Sequence, residues 1–221
     1  MRREEASNVT IARILEVHRQ RAAEIRARLA EFSDVWRSGS DARLWEEMVF
    51  CIFTAGASAR MGLRSIEAVR PYLLDGTHEE LSSALRGVHR YPRARARYVI
   101  ETRDYLQRTC GLRLRQKLAS FADPQARRDW LARERSIKGL GYKEASHFLR
   151  NIGFRGYAIL DKHILRSLAE LGRIESAAPP TTRARYLEVE GGLKRFADEI
   201  QIDFDELDLV LWSMKTGEVL K

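Results

Sequence analysis

Along nearly the whole chain, apolar residues recur at steps of three and four, and period-two alternation with β-branched runs is almost absent. That spacing matches the turn of an α-helix, not the two-residue pleat of a strand, so it restricts the fold to an all-α architecture of about ten helices. The first helix is the longest. Ile11, Leu15, His18, Ala22, Ile25, Leu29, Phe32 and Trp36 make one seam, which predicts an amphipathic helix from about Val9 to Trp36. A coiled coil would use the same seam, but a single segment is short for one, and packing against a core is the better reading.

Start and stop signals divide the rest. Ser38-Gly-Ser-Asp41 is a turn with a cap, and the Leu44, Met48, Phe50, Ile52 and Phe53 that follow belong to a helix too apolar for the surface. Thr77-His-Glu-Glu80 is a capping box, and Asp123-Pro124 pairs a cap residue with proline at the first helical position. Ala178-Pro-Pro-Thr181 breaks the chain before a helix carrying Leu187, Leu193, Phe196 and Ile200, which Gly191-Gly192 is expected to interrupt. A closing helix carries Phe204, Leu207, Leu211 and Met214 on one stripe and ends at Thr216-Gly217. The expected organisation is an N-terminal helix (1–40) packing with a C-terminal lobe (155–221), and a separate helical lobe (41–154).

With 44% hydrophobic residues in 221, the chain can bury a real core, which argues against a disordered tail protein. No apolar run is long enough for a membrane span, and the opening MRREEASNVT has neither a signal-peptide core nor the acid-poor character of a transit peptide. Cys51 and Cys110 are too few for a structural zinc site or a four-cysteine cluster. The expectation is a soluble, cytoplasmic protein without a metal cluster. The net charge of +8 is uneven: residues 86–117 hold ten Arg and Lys against Glu101 and Asp104, while the last 34 residues hold nine acids against four bases. A local basic band suits a polyanion such as nucleic acid, although arginine-rich helices also simply solvate well.

Two glycines, Gly139 and Gly141, stand just before a helix with Ala145, Phe148, Leu149 and Ile152 on its core stripe. They allow a tight reversal with positive φ, and the N–H groups that open the helix form a ready anion site. Lys143 falls about 160° from Ala145 on a helical projection, away from that stripe. A lone lysine there is usually only a solvated one. Asp161 follows the apolar triplet Ala158-Ile-Leu160 and precedes another helix, a position that suits an N-cap whatever else it does.

At these residues the chain resembles a family. Gly139-Leu-Gly-Tyr-Lys-Glu-Ala145 followed by Leu160-Asp-Lys-His-Ile164, with Lys143 and Asp161 18 residues apart, is similar to the helix-hairpin-helix DNA glycosylase superfamily. FCIFTAGASARMG at 50–62, RYPRARARYVIE at 90–101 and the closing LDLVLWSMKTGEVLK resemble its archaeal-type 8-oxoguanine DNA glycosylase/AP lyase branch, over about Leu44 to Lys221. The resemblance implies a two-lobed all-α fold with the active site in the cleft between lobes. Its substrate would be double-stranded DNA containing 8-oxoguanine, met by a monomeric, nucleoid-associated prokaryotic enzyme. By that resemblance Lys143 attacks C1′ of the deoxyribose, a Schiff base forms, and β-elimination nicks the strand. Asp161 stabilises positive charge on the sugar and helps move protons, the α-carboxylate of Lys221 and the ring of Trp212 recognise the flipped base, and Gly139, Gly141, Arg90 and Tyr91 contact DNA. No cofactor is required, although the resemblance allows a monovalent cation at the hairpin carbonyls. By periodicity alone Trp212 would pack on a neighbouring helix. Thr54-Ala-Gly-Ala57 and Arg93 depart from the family, which has Asn or Gln soon after the threonine and Asn in place of the arginine, so opposite-base preference does not carry over. The rival readings are an endonuclease III-like glycosylase for oxidised pyrimidines, a monofunctional alkylbase glycosylase, and a non-catalytic hairpin DNA-binding module.

Overall fold

The computed structural model describes residues 9–220. Among them are eleven α-helices and no strand. The helices are α1 (Ile11–Ser38), α2 (Asp41–Thr54), α3 (Ala59–Val69), α4 (His78–Ala84), α5 (Pro92–Cys110), α6 (Leu114–Ala119), α7 (Pro124–Arg133), α8 (Tyr142–Asn151), α9 (Lys162–Glu170), α10 (Arg183–Glu199) and α11 (Phe204–Thr216), with a 3-10 turn at Arg70–Tyr72. None is long and apolar enough to cross a membrane.

The chain forms two compact units: residues 9–29 with Gly156–Leu220, and Ala30–Arg155. The expected boundary at residue 40 is therefore too late by about three turns. At about 1.5 Å per residue a 28-residue helix outruns a single core, and its last turns belong to the second unit. There Trp36 stacks on Phe154 at 4.5 Å, the Arg150 guanidinium lies over the Phe32 ring, and Arg115 donates to the Trp36 carbonyl. The seam of α1 is also rotated from the expected one: Ile14, Val17, Ile25 and Phe32 are buried, whereas Ile11 and Leu15 are exposed.

In the second unit α2 is the central element, buried from Leu44 to Thr54 except Glu46, and it packs against α3, α5, α6 and α8. Ser40 caps it by accepting from the Arg43 N–H at 3.2 Å. Close approach of α3 depends on Gly62, where a Cβ would lie 2.6 Å from Thr54 and 2.9 Å from Phe50. The Thr77 capping box and the Asp123 cap form as the sequence predicts.

The first unit packs α11 against α9 and α10. α10 runs unbroken through Gly191-Gly192, contrary to the expected interruption; the cost of two glycines, about 1 kcal/mol each, is offset by burying Tyr186, Val189, Leu193 and Phe196 along the helix. α11 is buried continuously from Asp205 to Leu211, wider than the single stripe expected of it, and Gly217 ends it in the left-handed region.

Candidate active site

The reversal between α7 and α8 is built on α5. The Lys138 N–H donates to the buried Thr102 hydroxyl at 2.8 Å. Gly139 follows with φ +78°, and a Cβ there would lie 3.0 Å from the Tyr98 ring and 3.3 Å from Ile52. Only glycine satisfies both the backbone sign and the close approach. Gly141 then forms the N-cap of α8.

α8 is more deeply placed than its periodicity implies. Every residue from Ala145 to Asn151 is buried, polar ones included. Arg128 on α7, with no exposed surface, donates to the Ser146 hydroxyl at 3.2 Å and the Gln125 carbonyl at 2.6 Å, and the Tyr142 hydroxyl donates to Asp129 at 3.0 Å. A fully buried arginine joins α7 to α8 at a fixed angle, since losing one partner of such a charge costs several kcal/mol. What remains accessible of α8 is its first turn: Tyr142, Lys143 and Glu144.

Lys143 lies on that turn, its side chain 27% exposed, with Nζ 3.0 Å from Glu144 Oε1. The other carboxylate oxygen, Glu144 Oε2, accepts from the Gly141 N–H at 3.3 Å. Glycine has no side chain to complete a capping box, so the carboxylate alone closes the helix end and holds the lysine to it.

The basic band divides into structural and outward-facing members. Arg95 is buried and donates to the Ala55 carbonyl, Arg103 donates to the Gly76 carbonyl at 2.9 Å, and Lys117 lies over the Phe121 and Trp130 rings. Burial pushes the Arg95 guanidinium below its usual value, against the attraction of Tyr98 and Glu144. Arg86, Arg90, Arg93, Arg97, Arg108 and Arg113 face outward. Arg90 and Tyr91 share an exposed turn, the guanidinium 5.7 Å from the ring centre. Beneath them the buried His89 accepts from the Tyr91 N–H on Nδ1 at 3.0 Å, which leaves Nε2 to donate to the Phe53 carbonyl at 3.0 Å. Burial drives this imidazole toward the neutral form that the pair of bonds requires.

In the other unit Asp161 caps α9, its Oδ1 accepting from the N–H groups of His163 at 2.8 Å and Ile164 at 2.9 Å. Burial pushes the neighbouring His163 below its ordinary value, while the Asp161 charge works the other way. The stretch leading to Asp161 forms no helix or strand and is held by buried acids. Gly156 N–H donates to Asp205 at 2.9 Å, Ala158 N–H to Glu190 at 2.9 Å and Ile159 N–H to Asp208 at 3.3 Å. The Tyr186 hydroxyl donates to the Ala158 carbonyl at 2.7 Å. The acidic C-terminal segment thus spends its charge inside this unit. Trp212 is the first residue after the buried run of α11 to be partly exposed. Lys221 lies outside the described residues. Among the described residues no cluster of His, Cys, Asp and Glu is arranged to hold a metal.

Comparison with known proteins gives the family. A family model described as 8-oxoguanine DNA glycosylase matches residues 25–202. The chain belongs to this family. An 8-oxoguanine DNA glycosylase/AP lyase of Korarchaeum cryptofilum is 43% identical over 89% of this chain and 90% of its own length. One of Fusobacterium nucleatum is 31% identical over 94% and 96%, so such relatives are bacterial as well as archaeal. Among solved structures, a Methanocaldococcus jannaschii 8-oxoguanine glycosylase/lyase in complex with 15mer DNA containing 8-oxoguanine superposes with a TM-score of 0.87 at 35% identity, covering 96% of this chain and 99% of that one. The Thermotoga maritima 8-oxoguanine DNA glycosylase gives 0.86 at 34% identity, over 96% and 98%.

Within this glycosylase family frame, sequence reasoning missed residues whose work is done through neighbours. Thr102, Arg128 and Asp129 fix the hairpin, His89 fixes the Arg90 turn, and Glu190, Asp205 and Asp208 fix the approach to Asp161. Glu144 alone carried a signal: an acid three residues after a helix cap.

Proposed function

We propose that this chain excises 8-oxoguanine from double-stranded DNA and then cleaves the strand, through a Schiff base on Lys143. The observation that carries the reading is the placement of this lysine, on the one accessible turn of an otherwise buried helix, directly after a glycine reversal that only a close backbone approach explains. A base within a duplex is out of reach, so the nucleotide is flipped out at a cost of a few kcal/mol. The first-turn N–H groups of α8 and the outward Arg90 and Tyr91 hold the DNA backbone and the gap, with Gly139 and Gly141 leaving room for a phosphate. Lys143 then attacks C1′, the base departs with the bonding electrons, and Asp161 stabilises the positive charge on the sugar.

Trp212 stacks on the flipped base, and the α-carboxylate of Lys221 accepts from the N7–H that 8-oxoguanine carries and guanine lacks. Mispairing that acceptor costs on the order of 1–3 kcal/mol. The route needs no cofactor beyond a monovalent cation at the hairpin carbonyls, and with DNA as substrate the enzyme works at the nucleoid.

Borohydride trapping on duplexes bearing 8-oxoguanine tests the reading. The wild type forms a covalent adduct, and Lys143→Gln forms none while still binding DNA. A wild type that binds the duplex but is never trapped would be a non-catalytic hairpin module, and trapping on oxidised pyrimidines instead would assign the lesion differently.

A further inference from the structure

β-Elimination needs a base beside the Schiff-base carbon. Once the Schiff base forms, a proton must leave C2′, and Asp161 already spends Oδ1 on two backbone N–H groups. Resting on the Lys143 reading, we infer that Glu144 is that base. Its Oε1 lies 3.0 Å from Lys143 Nζ, and its other oxygen is anchored on the Gly141 N–H at 3.3 Å. In the covalent intermediate C2′ is two bonds from Nζ, about 2.5 Å away. With Oε1 3.0 Å from Nζ, the covalent bond brings C2′ to within about 5.5 Å of Oε1, and to proton-transfer distance when the sugar turns C2′–H toward Glu144. At 15% exposure the Glu144 side chain is screened from bulk water yet open toward the lysine.

The step balances without a further reactant. Glu144 Oε1 takes the C2′ proton, and the C–H electron pair moves toward the iminium carbon to give an enamine. Its return forms the C2′–C3′ double bond and expels the 3′ phosphate with the C3′–O electron pair. The product is an unsaturated Schiff base and a strand ending in a 5′ phosphate. The proton on Glu144 passes to water. The ion pair seen in the free enzyme is the same contact before the sugar arrives.

Glu144→Gln separates this role from helix capping, because glutamine still offers an acceptor to the Gly141 N–H but cannot take a proton. Two readouts on one 8-oxoguanine duplex give the test: excision, revealed by hot alkali, and enzymatic nicking without alkali. The variant should nick about a hundredfold more slowly while excision falls far less, so that the borohydride-trapped adduct accumulates. Glu144→Asp, which keeps a carboxylate, should recover part of the nicking. Unchanged nicking in Glu144→Gln would overturn the assignment, and so would excision and nicking falling together, which marks a purely structural residue. Failure of the Lys143 reading looks different: no adduct forms with the wild type.

Discussion

At the scale of single residues, the hairpin depends on what Gly139 avoids. The sequence shows two glycines before a helix, and that is enough to place a reversal. It does not show that Tyr98 and Ile52 close over the first of them, since both come from distant helices. Gly139→Ala forces an L side chain into the left-handed region, at about 1–2 kcal/mol, and adds a tight contact. Gly56 supplies the control, because at φ +73° an added methyl group would meet nothing within 4 Å. In urea denaturation Gly56→Ala should lose about 1 kcal/mol and Gly139→Ala distinctly more. Equal losses would mean that close packing at the hairpin contributes nothing. Lys143 illustrates the opposite limit. Its outward direction is readable from helical angles, but its value depends on the burial of everything behind it.

At the scale of elements, caps and long amphipathic runs were legible because each is a local pattern. The seam of α1 was legible only in outline, since Ile14 and Val17 displace Ile11 and Leu15 from the core by one step around the helix. Least legible was the irregular stretch 156–160. Three of its N–H groups are held by Asp205, Glu190 and Asp208, which lie 32 to 49 residues further along the chain. A net-charge reading sees such acids as a solvated surface. Removing one acceptor strands a buried donor at about 1–3 kcal/mol. Glu190→Ala should therefore lower stability by that amount and slow excision more than it weakens DNA binding, because it loosens the approach to Asp161. Glu190→Gln, which still accepts, should recover most of both. Binding and excision falling equally would count against a role in presenting Asp161.

At the scale of the molecule, the +8 charge is the sum of two different uses. Six outward arginines of the basic band remain for a polyanion, while several of the C-terminal acids are internal partners. One of these sets an acid limit on stability. Burial alone would raise the Glu206 carboxylate, but bonds from Arg26 at 2.8 Å and His18 at 2.6 Å together outweigh it and hold it below its ordinary value. A carboxylate lowered in the folded state contributes stability above its unfolded value, near 4.3, and loses it as pH falls through the folded value. Denaturation at about pH 7 and about pH 3.5 should show a large loss in the wild type and a smaller one in Glu206→Gln. An identical drop in both would place the acid limit elsewhere. The burial of α8 from Ala145 to Asn151 also bears on how such an enzyme diversifies. Random mutagenesis should find that helix intolerant throughout, from Ala145 onward because it is buried and in its opening turn because Lys143 and Glu144 carry the chemistry. New lesion preferences must then arise from loops and other helices, while the nucleophile's mounting stays fixed like the spindle of a lathe whose cutting tools are exchanged.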